Sequence, residues 1–301
     1  MLSSIPASDT SEPASAPARR ASGFWADVLH RVVRTRAAVV GGILVGSFLV
    51  VALLAPVVAP YNPLKGQLGE RLQPPSSVHW LGTVELGRDV LSRILLGARI
   101  TVQIQLAAVG LALALGTALG LTAGYVGRWV DQLIMRFMDI LMAFPGIFLA
   151  LAIIAALGTG LGNVVIATGI FLVPQFARVV RASILTLKDM EFVQAARALG
   201  RGDAALVFRY LVPNSLAPII VQTSLRMATA LLTASGLSFL GLGVQLPSPE
   251  WGAMLSNARS YMIAAPHVAT MPGLAIMLVV LGFNLLGDGL RDSLDPRLRE
   301  Q

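Results

Sequence analysis

Ser238, within SGLSFLG, and His267 are the nearest this chain comes to a nucleophile and its base. A serine hydrolase needs that pair within hydrogen-bond reach, with donors for the oxyanion. One serine and one histidine on adjacent apolar runs satisfy neither requirement by spacing, so an intramembrane hydrolase is only the remote alternative. His30, His79 and His267 are the three histidines, and none stands in H-E-x-x-H or another ligand spacing. Cysteine is absent, which removes disulfides, thiolate nucleophiles and cysteine metal sites together. The two lysines, Lys65 and Lys188, do not follow glycine, so no G-x-x-x-x-G-K-[ST] loop can hold nucleotide phosphates. This inventory predicts no catalytic residue, no metal site and no cofactor. One ionisable residue, Arg226, falls inside an apolar run. An intramembrane charge is costly and faces a bundle interior or an aqueous path, which makes Arg226 the candidate pathway residue. Near the inner end of its span it would instead snorkel to the interface. Asp288, Asp292 and Asp295 alternate with Arg291 and Arg297 and read as a solvated or interfacial ion-pair network.

The elements that must carry these residues are apolar. Of 301 residues 55% are hydrophobic and only 13% charged, and the mean hydropathy is +0.73. A soluble domain carries roughly a quarter charged residues, so the deficit points to a lipid bilayer. Residues 1–23, rich in Ser, Ala and Pro, are expected to be a disordered tail. Residues 24–36 read as a short amphipathic helix. Six apolar spans follow, at about 37–59, 100–125, 133–157, 164–184, 216–240 and 268–287, each long enough to cross about 30 Å of hydrocarbon. The polar stretch 61–97 holds Pro60, Pro63, Pro74 and Pro75 at or near its first half, which breaks regular structure. Gly116, Gly120 and Gly124 form a small-residue stripe at four-residue spacing that lets a neighbouring helix approach. With the N-terminus inside, sixteen of the 23 Lys and Arg fall in inside segments, six outside, and Arg226 within a span. That asymmetry places both termini in the cytosol and assigns the net charge of +7 to membrane orientation instead of nucleic acid.

Between the fourth and fifth spans lies EFVQAARALGRGDAALVFRYLVPN, residues 191–214, on the cytosolic side by the same count. Phe192, Ala195, Ala196 and Leu199 follow i, i+3, i+4, i+7 spacing and predict one apolar face. Gly200 suits a helix end, and Asp203 suits the N-cap of a second helix whose apolar side is Leu206, Val207, Tyr210 and Leu211. Pro213 and Asn214 are expected to stop that helix. A small-faced helical knob projecting into water fits a socket on another protein, or else packs on its own bundle.

This segment resembles the EAA signature of bacterial ABC importer membrane subunits, the part that docks on the ATPase. LGTVELGRDVLSRILLGARITV (81–102), MRFMDILMAFPGIFLALAIIAALG (135–158), LSFLGLGVQLPSPEWGAML (237–255) and FNLLGDGLRDSLDPRLRE (283–300) extend the likeness over residues 24–300. Together they resemble permeases of the DppC/OppC type, from dipeptide, oligopeptide and nickel importers. The resemblance implies an all-α, six-span permease of the bacterial inner membrane. It would form half a pathway with a sister permease (DppB/OppB type), two ABC ATPase subunits and an extracytoplasmic solute-binding protein. Residues 24–97 would hold the amphipathic segment, first span and extracytoplasmic region, 98–288 the transport core, and 289–301 a cytosolic tail. Conserved positions of the signature correspond to Ala195, Ala196 and Gly200, and Glu191 and Asp203 complete the expected ATPase-coupling set. Di- or oligopeptides are the implied solutes, with nickel, glutathione or another peptide-like solute as alternatives. Gln194 and Tyr210 stand where the family usually has Glu and His, and Val84 and Ala234 where acids are common. A secondary transporter or channel would call for a better-defined set of intramembrane acids.

Overall fold

The computed structural model describes residues 32–245 and 247–294. The expected disordered tail, most of the amphipathic segment with His30, and the C-terminal residues from Asp295 onward lie outside the described residues. Those described are mostly helical, joined by turns, irregular connections and one isolated antiparallel bridge between Thr83 and Asp89.

Helix α1 (Arg36–Val58) buries Ala38, Gly41, Val45, Phe48, Ala52 and Ala55, alternating steps of three and four that make one stripe. That stripe lies against α9 (His267–Leu294), where small residues set the distance. A Cβ on Gly41 would stand 2.8 Å from the Gly282 carbonyl oxygen, and one on Gly282 2.8 Å from Leu44 Cβ. Ile43, Val50, Leu53 and Val57 on the other face stay exposed, as a lipid-facing surface requires. Helix α2 runs Val90–Val126, ten residues longer at its start than the apolar run at 100–125. Asp89 explains the early start: its carboxylate accepts from the Ser92 amide at 2.7 Å and caps the helix. Farther along, Gly116, Gly120 and Gly124 bring α2 onto α5 (Leu161–Lys188). Added Cβ atoms there would lie 2.5 Å from Phe176 Cβ, 2.4 Å from the Ala177 oxygen and 2.9 Å from Ile184 Cβ. The glycine stripe is a packing seam between these two helices.

The apolar run at 133–157 is not one straight span. It forms α3 (Arg128–Ala143) and α4 (Gly146–Leu157), which meet at 93°. Pro145 causes the break: its ring disfavours helical backbone at Phe144, which is extended at φ −85°, ψ 134°. By length and composition five helices can cross a bilayer, and the bent pair would supply a sixth.

A second departure concerns Pro213. The helix expected to stop there continues, and α7 runs unbroken over Asp203–Phe239. A π-turn at Leu206–Leu211, with the Val212 amide bonded to the Val207 oxygen, precedes the proline and absorbs its missing N–H. The short α6 (Glu191–Ala198) precedes α7, and α8 (Trp251–Ala258) follows it. The core gathers around Trp251, whose ring lies 5.5 Å from that of Phe48 and whose Nε1 donates to the Ile94 oxygen at 3.0 Å. Phe283 meets Phe48 edge-on at 6.5 Å.

Candidate functional site

Helix α6 is braced from behind. Val193 and Ala196 are buried against Val180, Ile184, Leu206, Val207 and Leu211. Its end is a Schellman turn: Gly200 has φ +77°, its amide bonds to the Arg197 oxygen at 2.9 Å, and the Arg201 amide to the Ala196 oxygen at 3.2 Å. The expected four-residue face therefore divides. Phe192, Ala195 and Leu199 are exposed, Leu199 to 83%, whereas Ala196 turns inward to the bundle. The reason is angular: Val193 and Ala196, three apart, share the stripe that meets α5 and α7.

Side-chain bonds tie the segment to both neighbours. Asp203 begins α7, yet its carboxylate does not cap that helix; it accepts from the Tyr125 hydroxyl at the end of α2, 2.5 Å away. Lys188 Nζ reaches the Gly124 oxygen at 3.4 Å. Glu191 is exposed in the first turn of α6, where a negative charge suits the helix dipole. Gln194 donates to the Asp189 oxygen at 3.0 Å, and Tyr210 packs half-buried on the cluster behind α6. Both departures from the family pattern thus have local partners.

A polar track runs up α5 from this end. Arg181 grips Asp131 of α3 with two bonds, Nε to Oδ1 at 2.5 Å and Nη2 to Oδ2 at 2.6 Å. One turn farther, Arg178 pairs with Asp139 at 2.5 Å. Three residues beyond, Gln175 accepts from Arg226 of α7. Arg226 lies 13 residues from Phe239, about 20 Å of helix. Sequence singled out Arg226 but not its partner, because a glutamine in an apolar run carries no spacing signature.

At the opposite end of the helices a buried polar cluster went unseen in the sequence. Asp89 Oδ1 meets His79 Nδ1 at 3.0 Å, and Asp89 Oδ2 accepts from the Ser92 amide and hydroxyl, each at 2.7 Å. His79 Nε2 stands 3.4 Å from Glu70, and Tyr61 lies over the imidazole at 4.8 Å. The D-x-x-S spacing in GRDVLSR was the available signal, a helix cap. Glu250, 1% exposed, caps α8 with both oxygens, each 2.8 Å from an amide, at Gly252 and Ala253. Burial pushes its carboxyl above the usual range, against the pull of those two amides and the Ser238 hydroxyl. Ser238 therefore adjoins Glu250, while His267 Nε2 meets the Thr83 oxygen at 3.3 Å. The two residues of the hydrolase alternative serve separate contacts. Among the described residues no cluster of His, Asp or Glu is arranged to hold a metal. Val84 and Ala234 are buried in separate apolar clusters.

Residues 116–300 match the family described as binding-protein-dependent transport system inner membrane component. Residues 23–75 match the N-terminal TM domain of oligopeptide transport permease C. The dipeptide transport system permease protein DppC of Alkalihalophilus pseudofirmus is 47% identical over 96% of both chains. The glutathione transport system permease protein GsiD of Pectobacterium atrosepticum is 48% identical over 91% of this chain and 92% of its own. A crystal structure of an amino acid ABC transporter with histidines superposes with a TM-score of 0.52 at 16% identity. It covers 67% of this chain and 94% of that one, a likeness of fold alone. A helical bundle with a braced, outward-facing turn suits a transport subunit, and by its relatives the chain belongs to the family of binding-protein-dependent inner-membrane transport components, as a permease of ABC importers and not an enzyme.

Proposed function

We propose that this permease forms half of the pathway of a bacterial importer for peptide-like solutes, di- or oligopeptides first, and that α6 receives the stroke of the partner ATPase. Importers of this family join two permeases with ATPases and a binding protein. Here the partners are a sister permease, two ATPase subunits and an extracytoplasmic binding protein. The charge asymmetry supports cytosolic termini and six spans, with α3 and α4 counted as one bent crossing. Relatives named for a dipeptide and for glutathione support a peptide-like solute.

The observation that carries the coupling role is the exposed set Phe192, Ala195 and Leu199 on a helix whose back is packed. Apolar side chains held rigidly outward give a socket area to bury. Gly200 keeps the turn tight, and Glu191 and Asp203 flank it. The Asp203–Tyr125 bond and the continuous α7 connect the turn to α2 and to the helix bearing Arg226. ATP binding closes the ATPases, and displacement of α6 then favours one of two arrangements of the bundle.

Because the chain has no cysteine, single cysteines test this directly. Cysteines replacing Ala195, Leu199 or Gly200 should crosslink to an ATPase subunit in a nucleotide-dependent way. Cysteine at buried Ala196 should react least. No crosslink at any position from 191 to 203 would sink the coupling role.

A further inference from the structure

We propose that Arg226, oriented by Gln175, is a carboxylate-binding station on the translocation path, so that this permease itself favours solutes bearing a free carboxylate. The inference rests on the peptide-importer reading and adds a residue-level source of selectivity inside the membrane.

Three observations carry it. The first is depth. Arg226 lies within α7, a helix long and apolar enough to cross a membrane, about 20 Å of helix from Phe239. A guanidinium at that depth is held only by a polar partner or a water-filled path. The second is incomplete compensation. The other two arginines on the track, Arg178 and Arg181, each pair with an aspartate. Arg226 has only the neutral amide of Gln175, no carboxylate pairs with it among the described residues, and its Nε is buried without a hydrogen-bond partner. Among the described residues it is the one arginine of this track without a carboxylate partner. The third is placement. Gln175 precedes Arg178 by three residues, so the stations follow one another along α5 toward the end that carries α6.

The chemistry follows from this arrangement. A guanidinium presents a planar fork of donors that matches a carboxylate. Gln175 takes one N–H through its carbonyl oxygen, which fixes the fork and leaves its own amide N–H groups to assist. A resident acid would neutralise the site, whereas a neutral amide keeps it attractive. Passage requires binding strong enough to draw the solute in and weak enough to release it. Below the station, Arg178 and Arg181 are already paired and give the carboxylate no second strong hold.

The test uses the complete importer in proteoliposomes, with its binding protein loaded with Ala-Ala or with glutathione. Uptake and ATP hydrolysis are measured together. Arg226→Gln should lower uptake per ATP by about tenfold or more, the scale of one charge-assisted hydrogen-bonded contact. ATPase stimulation by the loaded binding protein should stay within about twofold, and Arg226→Lys should restore part of the uptake. Gln175→Glu keeps the Arg226 contact yet supplies an internal carboxylate, so it should depress uptake similarly in a folded protein. Wild-type uptake per ATP in Arg226→Gln or in Gln175→Glu overturns the proposal. A wild-type importer that carries neither probe refutes the peptide reading, and this inference falls with it. Loss of the α6 crosslinks refutes the coupling role alone.

Discussion

The two ends of the helices solve opposite problems with opposite materials. At the α6 end, three apolar residues point outward and the turn rests on Gly200, a residue with no side chain. At the far end, residues 61–89 and 247–267 are irregular or only briefly helical, and ionisable groups point inward: Asp89 and His79 are 3% and 4% exposed and Glu250 1%. A surface meant to be gripped by another protein keeps its apolar groups available and its own framework small. A loop region with few backbone ladders fixes its shape through side chains that satisfy amides and one another. Ionisable side chains therefore brace the structure where the backbone is irregular, and apolar side chains stand exposed where the backbone is regular.

Three substitutions probe that contrast. Asp89→Ala should have the largest effect, because it strips the Ser92 amide, the Ser92 hydroxyl and His79 of their common partner. Thermal unfolding of the purified protein should show a loss of about 3–5 kcal/mol, as for breaking other buried charged networks. A change below measurement would mean the far end is not held by its charges. Glu250→Ala should cost about 1–2 kcal/mol, the scale of a lost helix cap. Glu250 also carries a pH signature. Burial holds its folded carboxyl above the ordinary glutamate value, so protonation favours the folded state. The stability of the wild type relative to Glu250→Gln should be greatest below that value and decline as pH rises through the folded one. Parallel pH profiles for the two proteins would contradict the burial argument. Leu199→Ser should be smallest in stability, within about 0.5 kcal/mol at so exposed a position. Yet it should cut stimulated ATPase activity by about tenfold, as loss of an interface anchor does. If Leu199→Ser unfolds the protein or leaves coupling intact, the division between the two ends fails.

The elements visible in the sequence were those written in composition. Apolar runs located the long helices, and four-residue glycine spacing located the seam between α2 and α5. Gly200 was legible because few other residues tolerate its backbone. Two details escaped the sequence reading through one cause, proline. Pro145 inside an apolar run breaks a helix by 93°, while Pro213 is tolerated beside a π-turn. The residue alone does not say which, because the outcome depends on whether neighbouring backbone can shift register. The facing of Ala196 was misjudged because a stripe wide enough for four residues offers two ways to turn, and only the anchors on α5 and α7 choose between them. The Gln175–Arg226 contact and the Asp89–His79–Glu70 cluster join residues distant in sequence or divided by irregular chain, so periodicity never brings them together.

The π-turn at Leu206–Leu211 amounts to a single surplus residue lodged in a helix. Each residue of an α-helix turns the chain by about 100°. Removing one residue there would restore ordinary hydrogen bonding while swinging everything before it by about that angle. Asp203, at the start of α7, would then point in a different direction relative to Arg226 and away from its Tyr125 partner. The angular phase between the two ends of α7 is thus set by one inserted residue, a mechanical index that a deletion can reset.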